Sequence, residues 1–133
     1  VAAYATAADL GTYALPAATV AALSSADKDA ALLEASVYAD GYLAAGRYVL
    51  PLTAWGVDLR RVVCVIAAHR LLSKLGFDSP DQGSSYRRTY DDAERWLRAI
   101  GDGKVIPADV TDSTPTVTEG GAAVTTDTRR GRL

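Results

Sequence analysis

One run in the chain is apolar on nearly every side. Between residues 58 and 75, DLRRVVCVIAAHRLLSKL, the positions Val62, Val63, Val65, Ile66, Leu71, Leu72 and Leu75 do not form one stripe at helical spacing. They scatter round the whole helix, as expected of a segment covered by other elements in the middle of a small domain. Asp58 suits an N-cap, because its carboxylate accepts orphan N–H groups of a first turn. Lys74 falls in the last turn, where the dipole favours a cation. Gly76 suits the position just past the end, where positive φ is needed. The pattern predicts a central helix of about 17 residues.

Around it the pattern predicts shorter and more amphipathic pieces. Thr6 before AADL starts a short helix, and Pro16 opens a second over residues 16–23, where its missing N–H costs nothing. Neither is long enough to stand alone, so both are expected to pack over an end of the central helix. Ser24 or Ser25 caps a long helix from about Ala26 to Ala45, with Asp27 and Asp29 at its positive end. Its buried stripe is read from Ala30, Leu33, Val37 and Ala44. Lys28 lies opposite, and Asp40 falls beside the stripe, where it needs a partner or an exposed edge. Gly41 costs about 1 kcal/mol relative to Ala within a helix and is expected to mark close packing. Gly46 ends the helix. After a break at residues 77–83, a third long helix is predicted over residues 84–100. Tyr86, Tyr90, Ala93, Leu97 and Ile100 form its stripe, with Trp96 beside it. Asp91 with Arg95 and Glu94 with Arg98 are spaced for i,i+4 ion pairs on the polar side. Gly101 and Gly103 stop it.

Two stretches have no helical period. Residues 47–56, RYVLPLTAWG, are apolar around Pro51, which disfavours helix. An ordered apolar connection either tucks against the helices or offers a contact surface; Arg47, Tyr48, Pro51, Leu52 and Trp55 are its candidate contact residues. Residues 107–133 are rich in Thr, Gly, Asp and Val. TPTVT and AAVTTDT flank Glu119-Gly120-Gly121, a pattern for a β-hairpin; the alternative is an extended or disordered arm. Val117, Val124, Arg129, Arg130, Arg132 and Leu133 are its candidate contacts. The chain therefore divides into a helical domain, residues 1–106, and a C-terminal arm, residues 107–133. The fold class is all-α: a small bundle of three long helices plus short N-terminal ones. Removal of the arm is expected to leave a folded helical monomer.

Composition narrows the function. The 133 residues carry a formal net charge of −2, which favours neither a general nucleic-acid binder nor a polybasic membrane protein. No window approaches the ~18 apolar residues of a membrane span. The first residues lack the pattern of a signal peptide, and a chain without Met that starts at Val1 fits loss of an initiator Met. A soluble protein made in the cytosol is expected. The single cysteine, Cys64, cannot form an internal disulfide and reads as a small buried hydrophobe.

Catalytic chemistry is missing from the pattern. The single histidine, His69, has no carboxylate one turn away to orient it, and Cys64 points to another face. No Cys/His spacing suits zinc, and there is no phosphate-binding loop or Gly-rich dinucleotide turn. Asp91-Asp92 sits where ion pairing suffices. Tyr86-Arg87-Arg88-Thr89-Tyr90 mixes aromatic and basic residues, a weak sign for nucleic acid without net positive charge. No catalytic residue, metal or cofactor is expected. What stands out is interaction surface.

Four blocks in order carry a family resemblance: YATAADL, ASVYADGYLAAGRYVLPL, LRRVVCVIAAHRLL and YDDAERWLRAIGDGKV. Together they resemble the Mu-like phage and prophage head–tail connector proteins, also called adaptor or head-completion proteins. The resemblance covers residues 4–107, most specifically DGYLAAGRYVLPL. It implies an all-α adaptor, not an enzyme, in the neck of the virion. Such proteins form a ring, usually of twelve subunits, beneath the portal protein and present a platform for the next neck or tail component. They pass through the host cytoplasm during assembly and bind no membrane. Arg87, Arg88, Arg95 and Arg98 then face a subunit interface or the DNA channel. Alternatives are another neck or tail-completion protein, or a small helical nucleic-acid-binding regulatory module.

Overall fold

The computed structural model describes residues 3–75 and 80–113. Five helices follow one another: α1 (Ala7–Tyr13), α2 (Ala17–Ala22), α3 (Ser25–Ala45), α4 (Val57–Leu75) and α5 (Pro80–Gly101). α3, α4 and α5 pack on one another, α1 lies on α4 and α3, and α2 packs on α1. Glu34 meets Arg70 and Asp27 meets Lys74, so α4 runs back along α3. Tyr38 meets Glu94 and Gly46 meets Ile100, so α5 runs alongside α3 in the same sense. The result is an up-down-up bundle. No strand forms among the described residues, only an isolated antiparallel bridge between Ala54 and Thr111. The expected hairpin over residues 114–128 lies outside the described residues.

α4 is the centre that its pattern predicts. Val62, Val63, Cys64, Val65, Ile66, Ala67 and Ala68 are all buried in succession. It begins at Val57, two residues earlier than a capping Asp58 requires; Asp58 instead sits inside the first turn, where the dipole still favours its charge. α1 has the expected Thr6 cap, completed by Asp9 reaching back to the Thr6 N–H, and Ser24 caps α3 by accepting from the Asp27 N–H.

The buried face of α3 differs from the expected stripe. Leu33 and Val37 are exposed, and the core side is Ala31, Leu32, Ala35, Ser36, Ala39 and Leu43. Ser36 disguises this stripe, since a hydroxyl looks wrong at a core position. Its Oγ donates to the Leu32 carbonyl at 2.8 Å and accepts from the Tyr4 N–H at 2.9 Å, so its burial leaves nothing unsatisfied. Nor does Gly41 mark close packing, for nothing lies within 4 Å of a Cβ built there.

α5 starts at Pro80, four residues ahead of its expected start, with Pro suited to a first turn. Ala93, Leu97 and Ile100 are buried as predicted. Glu94 pairs with Arg98 at 3.1 Å. Asp91 does not pair with Arg95: it faces Arg87 at 3.6 Å, and Arg95 takes Asp92 at 3.0 Å. Several equivalent spacings compete on this exposed face, and each is worth only tenths of a kcal/mol, roughly 0.3–0.5.

Candidate interaction surface

The surface is built at the end of the bundle where α3 and α5 stop and α4 begins. α3 closes with the Arg47 N–H donating to the Ala44 carbonyl and the Tyr48 N–H to the Leu43 carbonyl, each at 3.0 Å. Ends of this type need one residue at positive φ, usually glycine. Here that residue is Arg47, at φ 73°, while Gly46 stays at φ −80°. The glycine serves another purpose. A Cβ at Gly46 would lie 2.6 Å from the Ile100 carbonyl oxygen, so the bare backbone lets α3 and α5 converge. Arg47, exposed, carries the left-handed backbone at a cost of about 1–2 kcal/mol.

From there, residues 47–56 are tied to the first residues of the arm. The Thr53 and Ala54 N–H groups donate to the Thr111 carbonyl at 2.8 and 3.2 Å, and the Thr111 N–H returns to Ala54 at 2.9 Å. The Ser113 N–H donates to the Val49 carbonyl at 2.9 Å, and the Val49 N–H to Asp112 Oδ2 at 2.9 Å. The Ser113 hydroxyl donates to the Pro51 carbonyl. Pro107 is buried, and a Cβ on Gly56 would come within 2.8 Å of the Ala108 carbonyl. Residues 107–113 thus form a lining on the connection.

A second set of bonds fastens the connection to the body. Trp55 Nε1 donates to the Tyr4 carbonyl at 2.8 Å, and the two rings meet edge to face at 4.8 Å between centroids. Tyr4 donates its N–H to Ser36 and its hydroxyl to Asp40. Asp40 therefore has the partner its position demanded, and burial with this bond raises the Tyr4 hydroxyl above its ordinary pKa. Among the candidate contact residues, Arg47 and Pro51 are exposed, Tyr48 and Trp55 half-buried, and Leu52 buried. The connection is both tucked in and presented: Leu52 and Trp55 anchor it, and Arg47 and Pro51 face outward. Val117, Val124, Arg129, Arg130, Arg132 and Leu133 lie outside the described residues. Tyr4, Ser36 and Asp112 escaped the sequence reading. Only the unpartnered Asp40 hinted at Tyr4, since bonds spanning 36 residues leave no local pattern.

A polar seam joins α3 to α5 nearby. The Tyr38 hydroxyl donates to Glu94 Oε2 at 2.6 Å and lies 3.2 Å from the Tyr42 hydroxyl. The Tyr38 bond, helped by Arg98, holds the Glu94 carboxyl below its ordinary value of 4.5. A depressed carboxyl stabilises fully above its unfolded value and loses that contribution as pH falls through the lower folded one. Unfolding midpoints are therefore expected to drop on acidification from about pH 4.5. In Glu94→Gln that limb of the profile should be flatter but not flat, because the bonds to Ser24 and Lys74 hold the Asp27 carboxyl below its ordinary value as well; an unchanged slope would show that Glu94 contributes nothing to it.

The titratable groups of the core sit apart from this end. Cys64 is buried and its thiol is pushed up to about 12, chiefly by burial. His69 stacks on Tyr90 at 4.2 Å, and burial lowers its pKa. Among the described residues no group of His, Cys, Asp and Glu side chains is gathered to hold a metal, and no helix is long and apolar enough to cross a membrane. The arrangement suits holding a backbone contour for a partner.

Comparison with known proteins gives the same blocks a context. Gene product J of Escherichia phage Mu is 42% identical over 77 residues, which are 58% of this chain and 50% of that protein. The match thus spans about half the length of this curated relative. A family model described as Bacteriophage Mu, Gp36 matches residues 4–126, nearly the whole chain. The chain belongs to this bacteriophage Mu Gp36 family of phage proteins.

Proposed function

We propose that the protein is a head–tail connector of the virion neck, a structural adaptor with no catalytic role. It assembles as a ring under the portal protein, usually of twelve copies in proteins of this kind, and offers a platform to the next neck or tail component. Ring contacts are heterologous, each patch meeting an unlike patch on the next copy. A chain with a fixed connection on its body and a long arm suits that geometry better than a self-complementary dimer. Arg47, Tyr48 and Pro51 meet a neighbouring subunit or neck protein. Val117, Val124, Arg129, Arg130, Arg132 and Leu133 reach the portal or the adjacent subunit. Assembly takes place in the host cytoplasm, without a membrane.

The observation that carries this reading is Arg47. A glycine there would relieve the left-handed backbone, yet an exposed arginine occupies the position. Strain at a residue whose side chain has no partner among the described residues points to a use in binding another molecule. Arg47→Gly is expected to leave the unfolding midpoint unchanged or raise stability by about 1 kcal/mol, while reducing joining to portal-bearing heads at least tenfold. Equal joining by the variant would count against the contact. The DNA-binding alternative is weaker, because Arg87, Arg95 and Arg98 each face a carboxylate of their own helix. A salt-sensitive DNA shift by the monomer would favour it.

A further inference from the structure

Among the described residues, no element covers the outer face of α3. Leu33 and Val37 are 43% and 51% exposed, one helical turn apart. With Tyr38, Glu34 and Arg70 they line an open groove of about 500 Å³. Asp29 continues the same row one turn earlier and is exposed. The one basic residue of α3, Lys28, is turned away, its Nζ donating to the Val20 carbonyl at 3.2 Å. Arg70 is engaged by Glu34 at 3.6 Å and lies over the Tyr38 ring at 5.5 Å. The row therefore reads acidic, apolar, apolar, from the start of the helix towards its middle.

We propose that this groove receives residues 117–133 of a neighbouring copy, so that each arm straps the next subunit of the ring. This rests on the connector reading and names the partner of its arm. The arm leaves the body at Ser113, where the bond to Val49 fixes its root. Twenty residues follow. Extended, they reach about 66 Å, whereas a body of this size has a radius of gyration of about 13 Å. The arm is long enough to cross a neighbour.

Its chemistry complements the row. Arg129, Arg130 and Arg132 close a chain whose net charge is −2, and Val124 precedes them. Val37 and Asp29 are eight helical residues apart, about 12 Å. Val124 and Arg129 are five residues apart, about 17 Å if extended. With Val124 on Val37, an extended chain carries Arg129 about 5 Å past Asp29, within the reach of an arginine side chain.

Cross-linking between two variants, each with one added cysteine, tests this. Val37→Cys and Val124→Cys chains, both otherwise full length, are mixed, added to portal-bearing heads and oxidised. The native Cys64 is fully buried and does not compete. A covalent dimer of the two variants is expected. Adding Arg129→Glu and Arg130→Glu to the second chain should cut its yield several-fold. A ring that assembles on the heads without that dimer overturns the strap and leaves the connector standing. So does a chain carrying both cysteines that closes only on itself. If no ring assembles, the connector reading fails as well.

Discussion

Trp55→Ala is expected to cost about 2–4 kcal/mol of unfolding free energy. Removal of a fully buried Trp typically costs about 3–5 kcal/mol; Trp55 is half-buried, which lowers the figure. The substitution removes the edge-to-face contact with Tyr4 and leaves the Tyr4 carbonyl without its indole donor. The effect extends beyond one side chain, because Tyr4 is held in turn by Ser36 and Asp40. Trp55→Phe keeps a ring and loses only the donor, so its cost should be near 1 kcal/mol. Urea unfolding measures both. A loss under 1 kcal/mol in Trp55→Ala would show that the connection is not anchored through Tyr4.

Two glycines, Gly41 within α3 and Gly46 just past its end, should respond with opposite sign. Gly46→Ala forces a methyl to within 2.6 Å of a backbone carbonyl oxygen of α5. Neither helix end moves freely, so a loss of about 1–3 kcal/mol is expected, the usual cost of overpacking. Gly41→Ala meets nothing within 4 Å. It should gain up to about 1 kcal/mol from helix propensity. Thermal unfolding of the pair separates the two roles; a stabilised Gly46→Ala would contradict the close approach of α3 and α5.

What could be read from the sequence was whatever depends on neighbours along the chain. α4 announces itself because a run apolar on all sides has one place to go, and Thr6 and Ser24 announce their helices through local caps. The face of α3 is not legible because Ser36 breaks the true stripe, and its hydroxyl is satisfied in part by Tyr4 from 32 positions away. Nothing local ties residues 107–113 to the connection; their bonds to it span some sixty positions. This changes where the arm can be cut. Removal of residues 107–133 strips the connection of its lining, whereas a chain ending at Ser113 keeps it. Within the candidate surface, the outward Arg47 and Pro51 were recognisable as a class. The division of labour with buried Leu52 and half-buried Trp55 was not, since burial is set by the fold and not by residue type.

Whether the chain is a connector is decided by co-sedimentation of the purified full-length chain with DNA-filled, portal-bearing heads, followed by electron cryomicroscopy of the neck. The protein is expected to sediment with the heads and to form a ring directly beneath the portal. Full-length, folded protein that remains in the supernatant, with no added density at the portal, would contradict it.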